Sequence, residues 1–332
     1  MKEPVRRTKH PWLVGAVMAA IGLGYFALLS ESGFQEPVMT IQQDVDAIAQ
    51  LDEVDSRYVE SASIDPKLND AQAMTVGVDG RLYVAGQDAI AVFGASGAEI
   101  GRFVIEGRPK CLTVANDGTL YVAFSDHIEV LDATGKQKAS WAELDDQPYL
   151  TSIALQDEYV YVADAGNKVV IQYDQSGTIL NSIGQKNEEQ DVPGIEVPSP
   201  YLDLAVNDEG NLWVVNPGKL GMERYRSDGS IVTSWYRPEM LDLKGFTGCC
   251  NPTHVAFTQD GKLVTAEKGL VRIKIYDVTN GEYEELVAGS KLFPREQSLK
   301  DMVVDSKNRI LVLDPRQNAI RVFETQNESG AA

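Results

Sequence analysis

YLTSIALQDEYVYVADAGNKVVIQYDQSG (149–177) contains three runs of alternating polar and apolar residues separated by short turns. The runs are rich in β-branched and aromatic residues, and the breaks fall at Gln-Asp-Glu, Asp-Ala-Gly-Asn and Asp-Gln-Ser-Gly, so the stretch reads as three antiparallel strands. The pattern recurs on both sides. DAQAMTVGVDGRLYVAGQDAIAVFGASG (70–97) and PKCLTVANDGTLYVAFSDHIEVLDATG (109–135) precede it; YLDLAVNDEGNLWVVNPGKLGMERYRSDG (201–229), PTHVAFTQDGKLVTAEKGLVRIKIYD (252–277) and LKDMVVDSKNRILVLDPRQNAIRVFE (299–324) follow. A fourth run follows most units, as in Glu99 to Ile105 and Ile231 to Tyr236.

Six four-stranded units at a spacing of roughly 40 to 50 residues predict an all-β chain folded as a six-bladed β-propeller, because radial repetition protects the sheet edges. The sixth unit stops after its third strand, and an orphan strand, Tyr58 to Ile64, stands before the first. Inserted as the missing fourth strand, it closes the ring. Asp79, Asp117 and Asp260 sit in the hairpins between first and second strands and read as turn formers.

The units resemble NHL repeats, most closely through the Ala-Asp-Ala-Gly-Asn loop and the Val-Val-Ile-Gln-Tyr-Asp strand of the third. The likeness covers residues 58–324. The chain as a whole also resembles a bacterial group of membrane-anchored NHL proteins with a GCCNPTH segment in the fifth blade, here residues 248–254. The resemblance implies a six-bladed NHL-type propeller; it implies little about activity, since such propellers include binders, scaffolds and enzymes.

Composition supports a folded, exported protein. Of 332 residues, 43% are hydrophobic and 24% charged, enough for a full core. The net charge of -19 repels a nucleic-acid backbone, so no nucleic-acid partner is expected. Lys2, Arg6, Arg7 and Lys9 precede an uncharged apolar run of 18 residues, Trp12 to Leu29. That length and basic flank predict a single N-terminal transmembrane helix acting as a signal-anchor in the inner membrane, with the propeller on the periplasmic side. A cleaved signal peptide is the rival reading, although Leu28-Leu29-Ser30 is a poor cleavage site. The expected organisation is a cytoplasmic basic tail (1–10), the anchor (11–30), a linker (31–57), the propeller (58–324) and a polar tail (325–332).

Aligning the units on the first residue of the second strand and counting back nine positions gives Ala73, Cys111, Thr151, Asp203, His254 and Asp301. These belong to the first strands, which line a propeller's channel, and so form one ring. Thiol, imidazole and carboxylate are ligands for a divalent metal or copper, and Asp203, His254 and Asp301, on successive blades, are the compact trio. Cys111 lies across the ring from His254. The alternative is a metal-free polar channel in which the aspartates bond neighbouring backbone amides.

Cys249 and Cys250 lie just ahead of His254, at the channel mouth. A disulfide, either vicinal or to Cys111, soft-metal ligation, and packed free thiols all remain open. The same face collects Tyr149, Tyr201, Trp235, Tyr236, Lys110, His127, Lys268, Lys300 and Arg316. Of these, Tyr149, Tyr201, Lys110 and Lys300, with Thr151, are the expected contacts for a protein or small-molecule ligand. No GxSxG, P-loop, HExxH, GxGxxG or CxxCH motif occurs. The reading is a binding or assembly module rather than an enzyme. The alternatives are a metal-dependent hydrolase or lyase in the channel, and metal handling or electron-transfer assembly through the cysteine pair.

Overall fold

The computed structural model describes residues 50–326, apart from 53, 145, 190, 240, 241, 295 and 296. The expected basic tail, transmembrane helix and most of the linker, like the last residues of the polar tail, lie outside the described residues. Among the described residues no helix is long and apolar enough to cross a membrane.

Among the described residues, twenty-four strands form six antiparallel four-stranded sheets. The first strands are Ala73–Val76, Cys111–Val114, Leu150–Gln156, Leu204–Val206, His254–Phe257 and Asp301–Val304. They pack side by side in that order, and the sixth returns to the first, so they surround a central channel. Tyr58–Ile64 pairs antiparallel with the last strand, Ala319–Thr325, from Tyr58↔Thr325 to Ile64↔Ile320. The ring is therefore closed by the strand from the start of the propeller, as the truncated sixth unit predicted. The blades whose second loops depart from the repeat, at Gly86-Gln87-Asp88 and Phe124-Ser125-Asp126, are complete sheets like the others.

Period-two alternation places one face of each sheet against each neighbour. The result is six apolar clusters, one between every adjacent pair of blades. Val84, Val122, Val162 and Val214, central in their second strands, are wholly buried. Each such side chain contributes about 1.5–3 kcal/mol by leaving water. At the rim the blades lock through glycine. Gly177 and Gly281 end turns at φ 89° and 68°, and a Cβ on either would run into the indole of Trp141 or Trp235 from the preceding blade.

Strands of the last three blades also carry charge into the core. Glu223, Lys274 and Arg321, each central in a third strand, are essentially inaccessible. Lys274 Nζ lies 2.9 Å from Glu267 Oε1 and donates to the carbonyls of Gly245 at 2.6 Å and Leu243 at 3.1 Å. The Glu267 oxygen facing it has no well-aligned hydrogen bond, so that contact acts mainly through charge. Arg321 binds Asp314, Glu60 and the Leu292 carbonyl. Glu223 accepts from Asn216, Tyr225 and Tyr236. Lys274 and Arg321 thereby hold connections between blades, whose backbone carbonyls would otherwise be left unsatisfied, while Glu223 ties side chains within the fourth blade.

Candidate functional site

The channel has two layers at its mouth. The deeper one is the ring expected from the sequence: Cys111, Thr151, Asp203, His254 and Asp301 all line the same channel, a space of about 380 Å³. Ala73 is buried beside them in the wall.

Four of these side chains reach across a blade boundary. Thr151 Oγ1 donates to the Leu202 carbonyl at 2.6 Å, joining blades three and four. Asp203 accepts the amides of Leu204 at 2.9 Å and Val255 at 2.7 Å, joining four and five. His254 Nε2 bonds the Leu299 carbonyl at 3.2 Å, which requires that nitrogen to carry the proton. Asp301 accepts the amides of Met302 and Met74, both at 2.7 Å, and joins blade six to blade one. Four of the ring residues are thus clips between blades, placed at or within one residue of the start of their inner strands.

This arrangement does not fit the expected metal trio. Every carboxylate oxygen of Asp203 and Asp301 already accepts a backbone amide, and the His254 nitrogen facing Asp203 is 3.9 Å from its nearest oxygen. Among the described residues no group of three His, Cys, Asp or Glu side chains could hold an ion. Burial pushes Cys111 well above the usual thiol range, and Asp301 and Asp203 push it further, which keeps it a neutral thiol and a poor ligand. Burial likewise raises Asp301 to about 8, raises Asp203 and lowers His254.

Above the ring opens a cavity of about 270 Å³. Its lining includes all five predicted ligand contacts: Lys110, Tyr149, Thr151, Tyr201 and Lys300. Lys110 and Lys300 stand one residue before their inner strands, and Tyr149 and Tyr201 at the ends of the connections into blades three and four. Lys110 Nζ lies 5.0 Å from the Tyr149 ring centre and 3.4 Å from its hydroxyl. Lys300 donates to Gln72 Oε1 at 3.1 Å. Lys268 approaches from behind, 4.3 Å from the Tyr201 ring centre, and donates to Ser199 Oγ at 2.7 Å.

Other predicted rim residues do not join this cavity. Trp235 is buried, stacks on Tyr276 at 5.6 Å and donates its indole N–H to the Val278 carbonyl; its role is packing. Tyr236 bonds Glu223, His127 stacks on Phe124 at 4.7 Å, and Arg316 is exposed on a turn. The alternating pattern puts aromatics at strand ends but does not say which way the ends turn.

The GCCNPTH segment is seated by Asn251, which bonds the Thr247 carbonyl and both donates to and accepts from the Lys268 backbone. Cys249 is exposed and Cys250 buried; their sulfurs are 3.1 Å apart and unbonded, and Cys111 is also free. The contact with Cys250 raises the pKa of Cys249.

An all-β propeller with a polar channel mouth is the class that fold and site define. No protein-family model matches the sequence, and no curated protein matches it. Among solved structures, a streptogramin B lyase is 12% identical with a TM-score of 0.55, covering 81% of this chain and 98% of that one. Virginiamycin B lyase from Staphylococcus aureus is 14% identical at TM-score 0.55, covering 81% and 99%. The WD40 β-propeller domain of Doa1 is 12% identical at TM-score 0.56, covering 83% and 99%. At such identities the likeness is one of fold.

Proposed function

We propose that the protein is a membrane-anchored, extracytoplasmic NHL-type propeller that binds a ligand or protein partner at the channel mouth bearing GCCNPTH. The observation carrying this reading is the convergence of Lys110, Tyr149, Tyr201 and Lys300, from four different blades, on one cavity. The ring of inner strands brings these positions together; what is particular to this chain is that they carry two ammonium and two phenol side chains. Aromatic and cationic groups of this kind provide contact area and orientation in binding sites. The apolar run 12–29 and its basic flank support the anchor and the periplasmic placement.

The test is photocrosslinking in intact cells. A photoreactive phenylalanine analogue at Tyr201 should give a discrete adduct, whereas the same group at Asp117, in a hairpin at the other end of an inner strand, should give none. Equal labelling at both positions refutes a working mouth. Removal of residues 1–30 should release the propeller from the membrane fraction.

A channel lyase is the second reading. Two of the fold relatives are lyases, and a catalytically inactive histidine-to-alanine form of one has been solved with quinupristin. Here His254 lies under the mouth beside Asp203. The binding reading is preferred because both channel carboxylates are committed to backbone amides. Metal handling through Cys249 and Cys250 is the third: the sulfurs are close, but the segment offers no further ligand grouping among the described residues.

A further inference from the structure

Resting on the reading of the mouth as a binding site, the distribution of charge and aromatic surface around it narrows the ligand. The chain carries 49 acidic against 30 basic residues, yet the cavity lining holds two lysines, Lys110 and Lys300, against one carboxylate, Asp203. Both are half-buried, and among the described residues neither has a carboxylate within ion-pair distance. Their neighbours are neutral: a tyrosine for Lys110 and an amide oxygen for Lys300. In a protein with excess carboxylate, partly desolvated ammonium groups left without a counter-ion mark a place where an anion is stabilising.

Around the rim, Lys300 and Lys110 come from blades six and two, on either side of blade one, and Tyr149 and Tyr201 from blades three and four, with Lys110 reaching over the Tyr149 ring. Lys268, stacked on the outer side of Tyr201 and anchored to Ser199, fixes that ring without entering the cavity. The floor does not oppose an anion as strongly as its composition implies. Each oxygen of Asp203 and Asp301 faces an amide hydrogen, and burial raises both carboxyls toward the neutral form.

We propose that the mouth binds a small organic anion, with its carboxylate or phosphate on the Lys110 and Lys300 side and a flat apolar body against Tyr149 and Tyr201. The space of about 270 Å³ fits a molecule the size of a substituted aromatic ring rather than a polymer segment.

The test is titration calorimetry on the full chain in detergent with phenyl phosphate, phenylacetate, benzyl alcohol and benzylamine. One or both anions should bind, and the stronger of the two identifies the anionic group. Lys110→Met/Lys300→Met should weaken that binding by about tenfold or more, Lys110→Arg/Lys300→Arg should largely retain it, and added salt should weaken it. Tyr149→Ala/Tyr201→Ala should weaken it independently. Urea midpoints of the variants check that the fold persists. Benzylamine binding as tightly as the anions, or anion binding indifferent to the methionine pair, overturns the anionic assignment. If the neutral or cationic probe binds and the tyrosine variants abolish it, the mouth remains the site and only the ligand class fails. If no probe responds to either pair of variants, the small-anion assignment falls, and the reading of the mouth as a binding surface is decided by the Tyr201 crosslinking.

Discussion

Replacing Lys274 by methionine separates what a buried charge does in this propeller from what its packing does. The side chain is fully buried, and its ammonium faces Glu267 and two carbonyls of the connection between blades four and five. Methionine fills similar space, so little cavity forms, but three polar groups lose their partner. Glu267 keeps the Thr247 backbone and hydroxyl donors at 2.9 and 3.2 Å, which moderates the loss. Breaking one side of a buried pair costs about 3–5 kcal/mol, and about 4 kcal/mol is the value expected here. With a urea m-value of about 3 kcal/mol per molar, the midpoint falls by about 1.3 M. Trp235 reports the transition locally: it lies 5.6 Å from Tyr276 and 6.3 Å from Phe246, the two rings that flank the ammonium. The double variant Lys274→Met/Glu267→Gln removes both charges and keeps a partner for Thr247, so it should recover most of the midpoint. A Lys274→Met midpoint within about 0.3 M of the parent, a change of about 1 kcal/mol, would refute the role given to the ion pair.

Three further outcomes are expected. Asp301 is raised to about 8 in the fold against an ordinary 3.8, so the folded state holds its proton more tightly. Its contribution to stability is full below about pH 4 and is lost as pH rises through about 8; unfolding midpoints across that window should fall more steeply for the parent than for Asp301→Asn, and parallel slopes would exclude the assignment. A thiol reagent should label Cys249 in the native reduced protein and reach Cys111 and Cys250 only on unfolding, because only the first is exposed; slow labelling of all three would contradict this. Gly177→Ala should destabilise by about 2 kcal/mol or more, since φ is 89° and the new methyl meets Trp141; an unchanged melting temperature would show that the turn relaxes freely.

The blades were legible because Leu-Tyr-Val-Ala strands and Asp-Gly turns repeat with little drift, and the count of nine residues back from the second strand put five of its six residues on the channel. The same count left the chemistry open between metal ligands and aspartates bonded to backbone amides. It located the carboxylates and an imidazole but not which amides lie opposite them, since Val255 and Met74 supply those bonds through their backbone. The buried charges were hidden for a related reason. Lys274 and Arg321 occupy positions that alternation reads as ordinary pleat residues, and their partners Gly245 and Leu292 lie in connections between blades that lack strand periodicity, Leu292 in a short 3-10 turn. Lys268 as the support of Tyr201 was equally out of reach, because the contact joins segments 67 residues apart.

The closing strand bears on how the molecule is made. Glu60 meets Arg321 across 261 residues of chain, so the first strand among the described residues must wait for the last of them. Until then the sixth sheet lacks an edge, and the apolar cluster between blades six and one has nothing behind it. Contacts this distant in sequence form slowly and leave an unpaired strand exposed in the meantime. The five consecutive exposed residues of Tyr58–Ile64, with Glu60 and two serines among them, suit a segment that must stay soluble while it waits.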